Sequence, residues 1–111
     1  MKYTSHSHKD STHADKKYMV TTPGGKTIHF GAKNYNDYIT YNHEHGKKIA
    51  DDKRDAYIAR HQVNEDWYDP DTAGFWSRWL LWEKPTLRQA GNNLRDLFDI
   101  KIKFLGVLDL K

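Results

Sequence analysis

One stretch of the chain decides the fold: Arg60–Pro85, which reads R-H-Q-V-N-E-D-W-Y-D-P-D-T-A-G-F-W-S-R-W-L-L-W-E-K-P. It contains all four tryptophans of the chain, from Trp67 to Trp82, behind a loop that carries four acidic residues. Trp is the largest apolar side chain and usually lies in a core or at an interface. We therefore expect a Trp-rich core built from this stretch.

The bulk composition restricts the class of protein. A length of 111 residues predicts a single domain. The absence of cysteine excludes disulfides, thiolate zinc sites and cysteine nucleophiles, and it fits a reducing compartment. No apolar run approaches the roughly 20 residues of a membrane span, and the first residues lack the apolar stretch of a secretory signal. The composition predicts a soluble intracellular protein without a membrane partner.

The start of the chain predicts a mobile arm. Residues 1–16 are polar, with three histidines at irregular spacing among Ser, Thr and Lys. Such a composition cannot bury enough apolar surface to order itself. We therefore predict a disordered polar arm over residues 1–16 and a single α+β domain over residues 17–111.

A β-hairpin is predicted next. Between Tyr18 and Phe30, apolar and polar residues alternate on both sides of Pro23-Gly24, a dipeptide typical of a tight turn. Gly31–Asp52 has no sustained period, and the segment Tyr38–Tyr41 is interpreted as an additional strand.

Three helices and a C-terminal strand complete the prediction. The first helix begins at Asp51 or Asp52 and continues to about Val63. The second begins at Asp71 or Thr72. The third begins at a capping box formed by Thr86 and Gln89, and the strand follows in the alternating segment Ile100–Phe104. The apolar faces of the second and third helices consist of Phe75, Trp76, Trp79 and Leu80, and of Leu87, Ala90, Leu94, Leu97 and Phe98.

The last residues are apolar for a chain end. Val107, Leu108 and Leu110 are expected to dock on the domain or on a second copy, because an exposed apolar edge would aggregate. A homodimer is therefore one predicted partnership.

The motifs that support catalysis are weak. Six side chains are candidates for a metal or catalytic site: His29, His43, His45, His61, Glu65 and Asp66. The segment H-E-H at 43–45 would place two imidazoles on one face of a strand, but no spacing matches a site of known mechanism. A glycine-rich phosphate loop and a serine-nucleophile frame are missing. The sequence thus predicts no enzyme, no metal and no cofactor, with a metal-dependent nuclease as the weakest alternative.

The charge distribution makes nucleic-acid binding one candidate function. Residues 1–60 carry eleven cations and seven acids, residues 61–72 carry four acids, and residues 73–111 carry seven cations and four acids. Phosphate contacts need only cations on one surface, so double-stranded DNA is a candidate partner. The second half of the chain offers Arg78, Arg88, Arg95, Lys101 and Lys103, while the predicted contacts are Lys26, Lys33, Lys47, Lys48, Lys53, Arg54 and Arg60.

The alternative is a structural or host-interaction module that acts through protein–protein contacts. Exposed Trp67, Tyr68 or Trp82 would then be interface hot spots. The acidic loop beside basic flanks would form a self-complementary surface.

Three stretches resemble a family of small domains from large nucleocytoplasmic DNA viruses such as marseilleviruses, iridoviruses and phycodnaviruses. They are G-G-K-T-I-H-F-G-A at Gly24–Ala32, Y-I-A-R-H at Tyr57–His61 and the block Asn64–Pro85. The resemblance spans about residues 17–99. It implies a viral accessory protein of the infected cell's cytoplasm or nucleus, or of the virion, and it brings no enzyme activity. This implied context ranks DNA binding above the interaction module, so double-stranded DNA is the predicted partner.

Overall fold

The computed structural model describes residues 3–8, 11–12 and 14–105. These residues form a four-stranded sheet with strand order β3-β2-β1-β4 and a set of helices, which confirms the predicted α+β class. The elements are, in chain order, β1 (Tyr3–His8), β2 (Lys16–Thr21), β3 (Thr27–Ala32), α1 (Tyr38–His45), α2 (Lys47–His61), α3 (Ala73–Trp76), a π-helical turn (Ser77–Leu81), α4 (Leu87–Phe98) and β4 (Ile100–Leu105).

The predicted hairpin is confirmed as the antiparallel pair β2–β3. Tyr18 pairs with Phe30 and Val20 with Ile28, and the two ring centroids of the first pair lie 5.7 Å apart. At the turn, the Gly25 amide donates to the Thr22 carbonyl at 2.9 Å. Val20, Ile28 and Phe30 are buried, so this hairpin supplies one wall of the core.

The structure differs from the predicted arm over residues 3–8. These residues form β1, which runs antiparallel to β2 and parallel to β4. The polar segment is ordered because its backbone has a strand on each side, and one of those strands comes from the other end of the sequence. Local composition cannot reveal a partner so distant in sequence.

The additional strand predicted at Tyr38–Tyr41 is wrong, because these residues open helix α1. The Asp37 side chain accepts from the Thr40 amide at 3.0 Å, and Thr40 Oγ1 accepts from the Asp37 amide at 2.8 Å. This reciprocal cap stabilises a helix start that has little apolar period. α2 likewise begins at Lys47 after Gly46, before the caps predicted at Asp51 or Asp52.

The Trp-rich core is confirmed. Trp76, Trp79 and Trp82 are buried, and Trp67 packs against them half-buried. Trp76 Nε1 donates to the Pro70 carbonyl at 2.7 Å, and Trp79 Nε1 donates to the Trp67 carbonyl at 2.6 Å. Indole rings thus fill the core while their N–H groups fasten the acidic loop to it.

The Trp-rich helix is partly π-helical. Thr72 caps α3 as predicted, with its Oγ1 accepting from the Phe75 amide at 3.3 Å. The chain then widens into the π-helical turn, and four consecutive residues, 79–82, are buried.

The third predicted helix and the C-terminal strand are confirmed as α4 and β4. Thr86 Oγ1 accepts from the Gln89 amide at 3.1 Å, and Asp99 ends α4 in the left-handed conformation with a φ of 56°. Leu97, predicted to be buried, is 57% exposed. Val107, Leu108 and Leu110 lie outside the described residues.

Candidate anion-binding cleft

A cleft of about 610 Å³ lies between the β2–β3 hairpin and α2, with residues of α3 and the π-helical turn in its wall. We call it the α2–β3 cleft. Four cations and two carboxylates line it, together with aromatic and glycine residues. These are Lys16, Lys17, Lys53 and Arg60, then Asp37 and Glu65, and then Phe30, Gly31, Tyr35, Tyr41, Tyr57, Gly74 and Trp82.

The charges of α2 divide between two sides of the helix. Lys53, Ala56 and Arg60 line the cleft and recur at three- and four-residue spacing, so they share one face. On another side, Lys47 Nζ lies 2.5 Å and Arg54 Nη2 lies 3.6 Å from the Asp51 carboxylate. The cleft side of α2 therefore carries Lys53 and Arg60, whereas the cations that pair with Asp51 lie on another side of the helix.

Three of the cleft's cations have no carboxylate partner within the described part of the chain. Lys16 and Arg60 make no ion pair there, and Lys53 Nζ lies 5.6 Å from the centroid of the Tyr41 ring. Exposed cations gathered in a concave site raise the local concentration of anions. The positive potential of the cleft is therefore available to a ligand.

The two carboxylates of the cleft are already engaged. The buried Asp37 carboxylate accepts a hydrogen bond from Lys17 Nζ at 3.1 Å, and Asp37 also caps α1. Glu65 accepts from Trp67 Nε1 at 2.8 Å, and its other oxygen lies 3.1 Å from His61 Nδ1. Neither acid is directed at the unpaired cations.

His61 is fixed in the cleft wall. Its ring stacks on Tyr57 with centroids 4.5 Å apart, while Glu65 occupies Nδ1. Burial, and to a lesser degree the Glu65 charge, raises the pKa of the Tyr57 phenol, so Tyr57 is a neutral aromatic wall. A Cβ on Gly74 would lie 2.9 Å from Glu65 Cδ, so glycine leaves the room that Glu65 occupies.

The structure separates the seven cations predicted to bind DNA. Lys53 and Arg60 line the cleft, but Lys26 lies at the hairpin turn, where its Nζ donates to the Asp71 carbonyl at 2.8 Å. The exposed Lys33 follows β3. The other three are neutralised: Lys47 and Lys48 pair with Asp51 and Asp52, and Arg54 contacts Asp51, the Glu83 carbonyl and the Tyr38 ring.

The histidines considered for a metal site do not converge. His43 and His45 lie exposed on α1, where two residues apart means opposite sides of a helix, unlike the strand that was predicted. His29 lies on β3, with its Nδ1 2.6 Å from Ser11 Oγ. Among residues 11–12 and 14–105, no three His, Cys, Asp or Glu side chains are placed to hold a metal ion.

Lys16 and Lys17 are cleft residues that the sequence reasoning missed. Lys16 fell at the end of the predicted arm, and Lys17 begins the hairpin. The sequence signal for this part of the cleft is the pair of adjacent lysines at the start of the hairpin, together with the helix rich in cations that follows the hairpin.

Residues 7–61 of the chain match a family of unknown function, DUF5754. The match extends from β1 to the end of α2, so it includes Lys16, Lys53, Arg60 and His61. It begins earlier than the resemblance noted above and ends before the first tryptophan, Trp67. No curated protein and no solved structure matches the chain. No helix in the described part of the chain is long and apolar enough to cross a membrane.

Proposed function

We propose that this protein binds DNA without catalysing a reaction on it, through phosphate contacts with little sequence readout. The observation that supports this proposal is the α2–β3 cleft, where Lys16, Lys53 and Arg60 have no carboxylate partner among the residues that the structure describes. Phosphate contacts need cations at a common surface and carry no sequence information directly. Tyr35, which is 74% exposed at the rim, offers a ring on which a base can stack.

The size of the cleft restricts how DNA would bind. A volume of about 610 Å³ admits one backbone with its adjoining sugar and base, and it is too small for the full width of a duplex. Double-stranded DNA, the partner predicted from sequence, would present one of its two backbones to the rim. Single-stranded DNA would enter the cleft and stack on its aromatic walls. We expect the single strand to bind more tightly.

The proposal includes a viral context. The resemblance of the Trp-rich block to domains of large DNA viruses supports a viral accessory role in the infected cell's cytoplasm or nucleus, or in the virion. The DUF5754 match is compatible with such a role and assigns no activity.

Salt dependence of binding tests the proposal. Labelled single- and double-stranded oligonucleotides of mixed sequence are titrated with the protein by fluorescence anisotropy. Three phosphate contacts predict that single-strand affinity falls about 20-fold, and duplex affinity about 40-fold, between about 50 and 200 mM salt. Undetectable binding to both at low salt would overturn the proposal in favour of a protein–protein interaction module.

Matched variants locate the contacts. The salt slope is the steepness with which the logarithm of the binding constant falls with the logarithm of the salt concentration. The double variant Lys53→Gln with Arg60→Gln removes two cations of the cleft and should reduce this slope for single-stranded DNA by about 1.4. Lys47→Gln with Lys48→Gln removes the same charge from the same helix, at positions paired with Asp51 and Asp52, and should change the slope less. Equal changes of the slope in the two double variants would contradict the α2–β3 cleft as the binding site. Cleavage of the DNA in the same tubes, abolished by His61→Ala, would overturn the non-enzymatic part.

A further inference from the structure

A second basic groove lies between α4 and β4, outside the α2–β3 cleft. It has a volume of about 340 Å³ and shares no lining residue with that cleft. Three cations and one amide line it, and no carboxylate does. We call it the α4–β4 groove, and its lining is Arg88, Gly91, Asn92, Arg95, Lys101, Ile102 and Phe104.

The groove is formed by residues at helical spacing on α4 and by residues of β4. On α4, Arg88, Asn92 and Arg95 follow at intervals of four and three residues, on the face opposite the buried Leu87, Ala90 and Leu94. A Cβ on Gly91 would lie 3.2 Å from Phe104 Cε2, so this glycine allows α4 to approach β4 closely. The result is a cationic rim over an apolar floor.

The charges of the groove are poorly compensated. Arg88 and Lys101 make no ion pair with any described residue, and Arg95 Nε lies 3.8 Å from the exposed Asp96 carboxylate. An exposed pair of neighbouring residues at this distance contributes little. Like charges that converge without a counterion favour an anionic ligand.

We propose that the α4–β4 groove is a second phosphodiester site, which holds one nucleotide unit of a single strand. Arg88, Arg95 and Lys101 would contact its phosphate, while Ile102 and Phe104 contact its sugar and base. The choice of nucleic acid as the source of the phosphate rests on the proposed function. The cleft lies beside β3 and the groove beside β4, and these strands form opposite edges of the sheet, about 15 Å apart. A single strand has to extend over at least this distance to occupy both sites.

Salt slopes with a long strand give the first test. Arg88→Gln, Arg95→Gln and Lys101→Gln together should reduce the salt slope for a 20-nucleotide oligothymidine by about 2. Lys103→Gln is the matched control, because Lys103 is exposed on the same strand but does not line the groove. An unchanged slope in the folded triple variant, or an equal loss per charge in the control, would overturn the proposal. If circular dichroism shows that the triple variant is unfolded, Arg95→Gln alone takes its place, with an expected loss of about 0.7.

Amide shifts with a short strand separate the two sites. A four-nucleotide oligothymidine should shift the amides of residues 88–95 and 101–104 in the wild type and in the cleft variant Lys53→Gln with Arg60→Gln. Shifts confined to the cleft would overturn the groove and leave the proposed function standing. Shifts confined to the groove would overturn the cleft as the binding site and leave the groove standing. The absence of any shift would overturn both sites. Inorganic phosphate is titrated in parallel, and equal saturation by phosphate would show a general anion site and overturn the assignment to phosphodiesters.

Discussion

Gly31 occupies a position at the end of β3 that a side chain does not fit. Its φ is 79°, in the left-handed region, and an added Cβ would lie 2.9 Å from Leu81 Cδ1 in the core. Gly25 in the hairpin turn has a φ of 87° but no atom within 4 Å of an added Cβ. Alanine at Gly25 would therefore cause backbone strain alone, whereas alanine at Gly31 would cause both backbone strain and steric overlap.

Gly31→Ala should destabilise the protein more than Gly25→Ala. We expect a loss of about 1–2 kcal/mol at Gly25 from the left-handed backbone alone. Overpacking against Leu81 should add about 1–3 kcal/mol at Gly31. Urea unfolding followed by Trp fluorescence measures both losses, and equal losses would show that Leu81 moves aside without cost.

At the same scale, the sequence predicts residue chemistry better than residue direction. Lys53 and Arg60 were predicted to bind DNA, and they line the cleft, but so were Lys47 and Lys48, which are paired with carboxylates. A charge count gives each lysine the same weight. Whether its ammonium group has a carboxylate neighbour depends on where the helix begins, and the predicted cap at Asp51 or Asp52 lies five or six residues after the observed cap, Gly46.

At the scale of elements, Asp51 connects α1 to α2. The Tyr38 hydroxyl donates to Asp51 Oδ1 at 2.6 Å, and Lys47 Nζ donates to Oδ2 at 2.5 Å. The hydrogen bond from Lys47, followed by that from Tyr38, lowers the pKa of the Asp51 carboxyl below its ordinary value of 3.8. The carboxylate is thus favoured in the folded protein over the unfolded chain.

This shift predicts a pH dependence. Because the folded pKa is depressed, the contribution of Asp51 to stability is present above pH 3.8 and is lost as the pH falls through the folded value. Asp51→Asn should therefore destabilise the protein at pH 7, and the difference from wild type should shrink toward pH 3. Lys47→Gln, which removes the largest cause, should reproduce most of the effect. Urea unfolding across this range measures it, and a difference that does not change with pH would contradict the assignment.

Elements with a clear local pattern were predictable, whereas those defined by a cap or a distant partner were not. The hairpin, the Trp-rich helix, α4 and β4 follow from periodicity and from Thr72 and Thr86. α1 has a weak apolar pattern, and its signal was the capping pair Asp37 and Thr40. The π-helical turn has no recognisable sequence signature of its own, so periodicity predicts a plain α-helix there.

At the scale of the whole molecule, β1 holds the sheet together. It lies between β2 and β4, and its Tyr3–His8 backbone pairs with Ile100–Leu105. Without it, β2 would have an unpaired edge and β4 would have no strand neighbour among the described residues. Unpaired edges of this kind are prone to aggregate.

Deletion of residues 1–9 should consequently abolish cooperative folding or lower the melting temperature by about 10 °C or more, because several kcal/mol of strand pairing is lost. A disordered arm, as composition predicts for residues 1–16, would instead be removable without effect. Circular dichroism melts of the full chain and the deletion variant decide between the two. A poly-Ser replacement of the same residues controls for chain length.

The pairing of β1 with β4 also governs how the chain acquires its structure during synthesis. Tyr3 is synthesised about 5–20 s before its partner Ile100 at ordinary translation rates. Throughout that interval β1 can pair with β2, but its other edge has no strand partner until β4 is made. β1 thus gains its second strand partner only after β4 has been translated, and its outer edge is open to pairing with other chains until then.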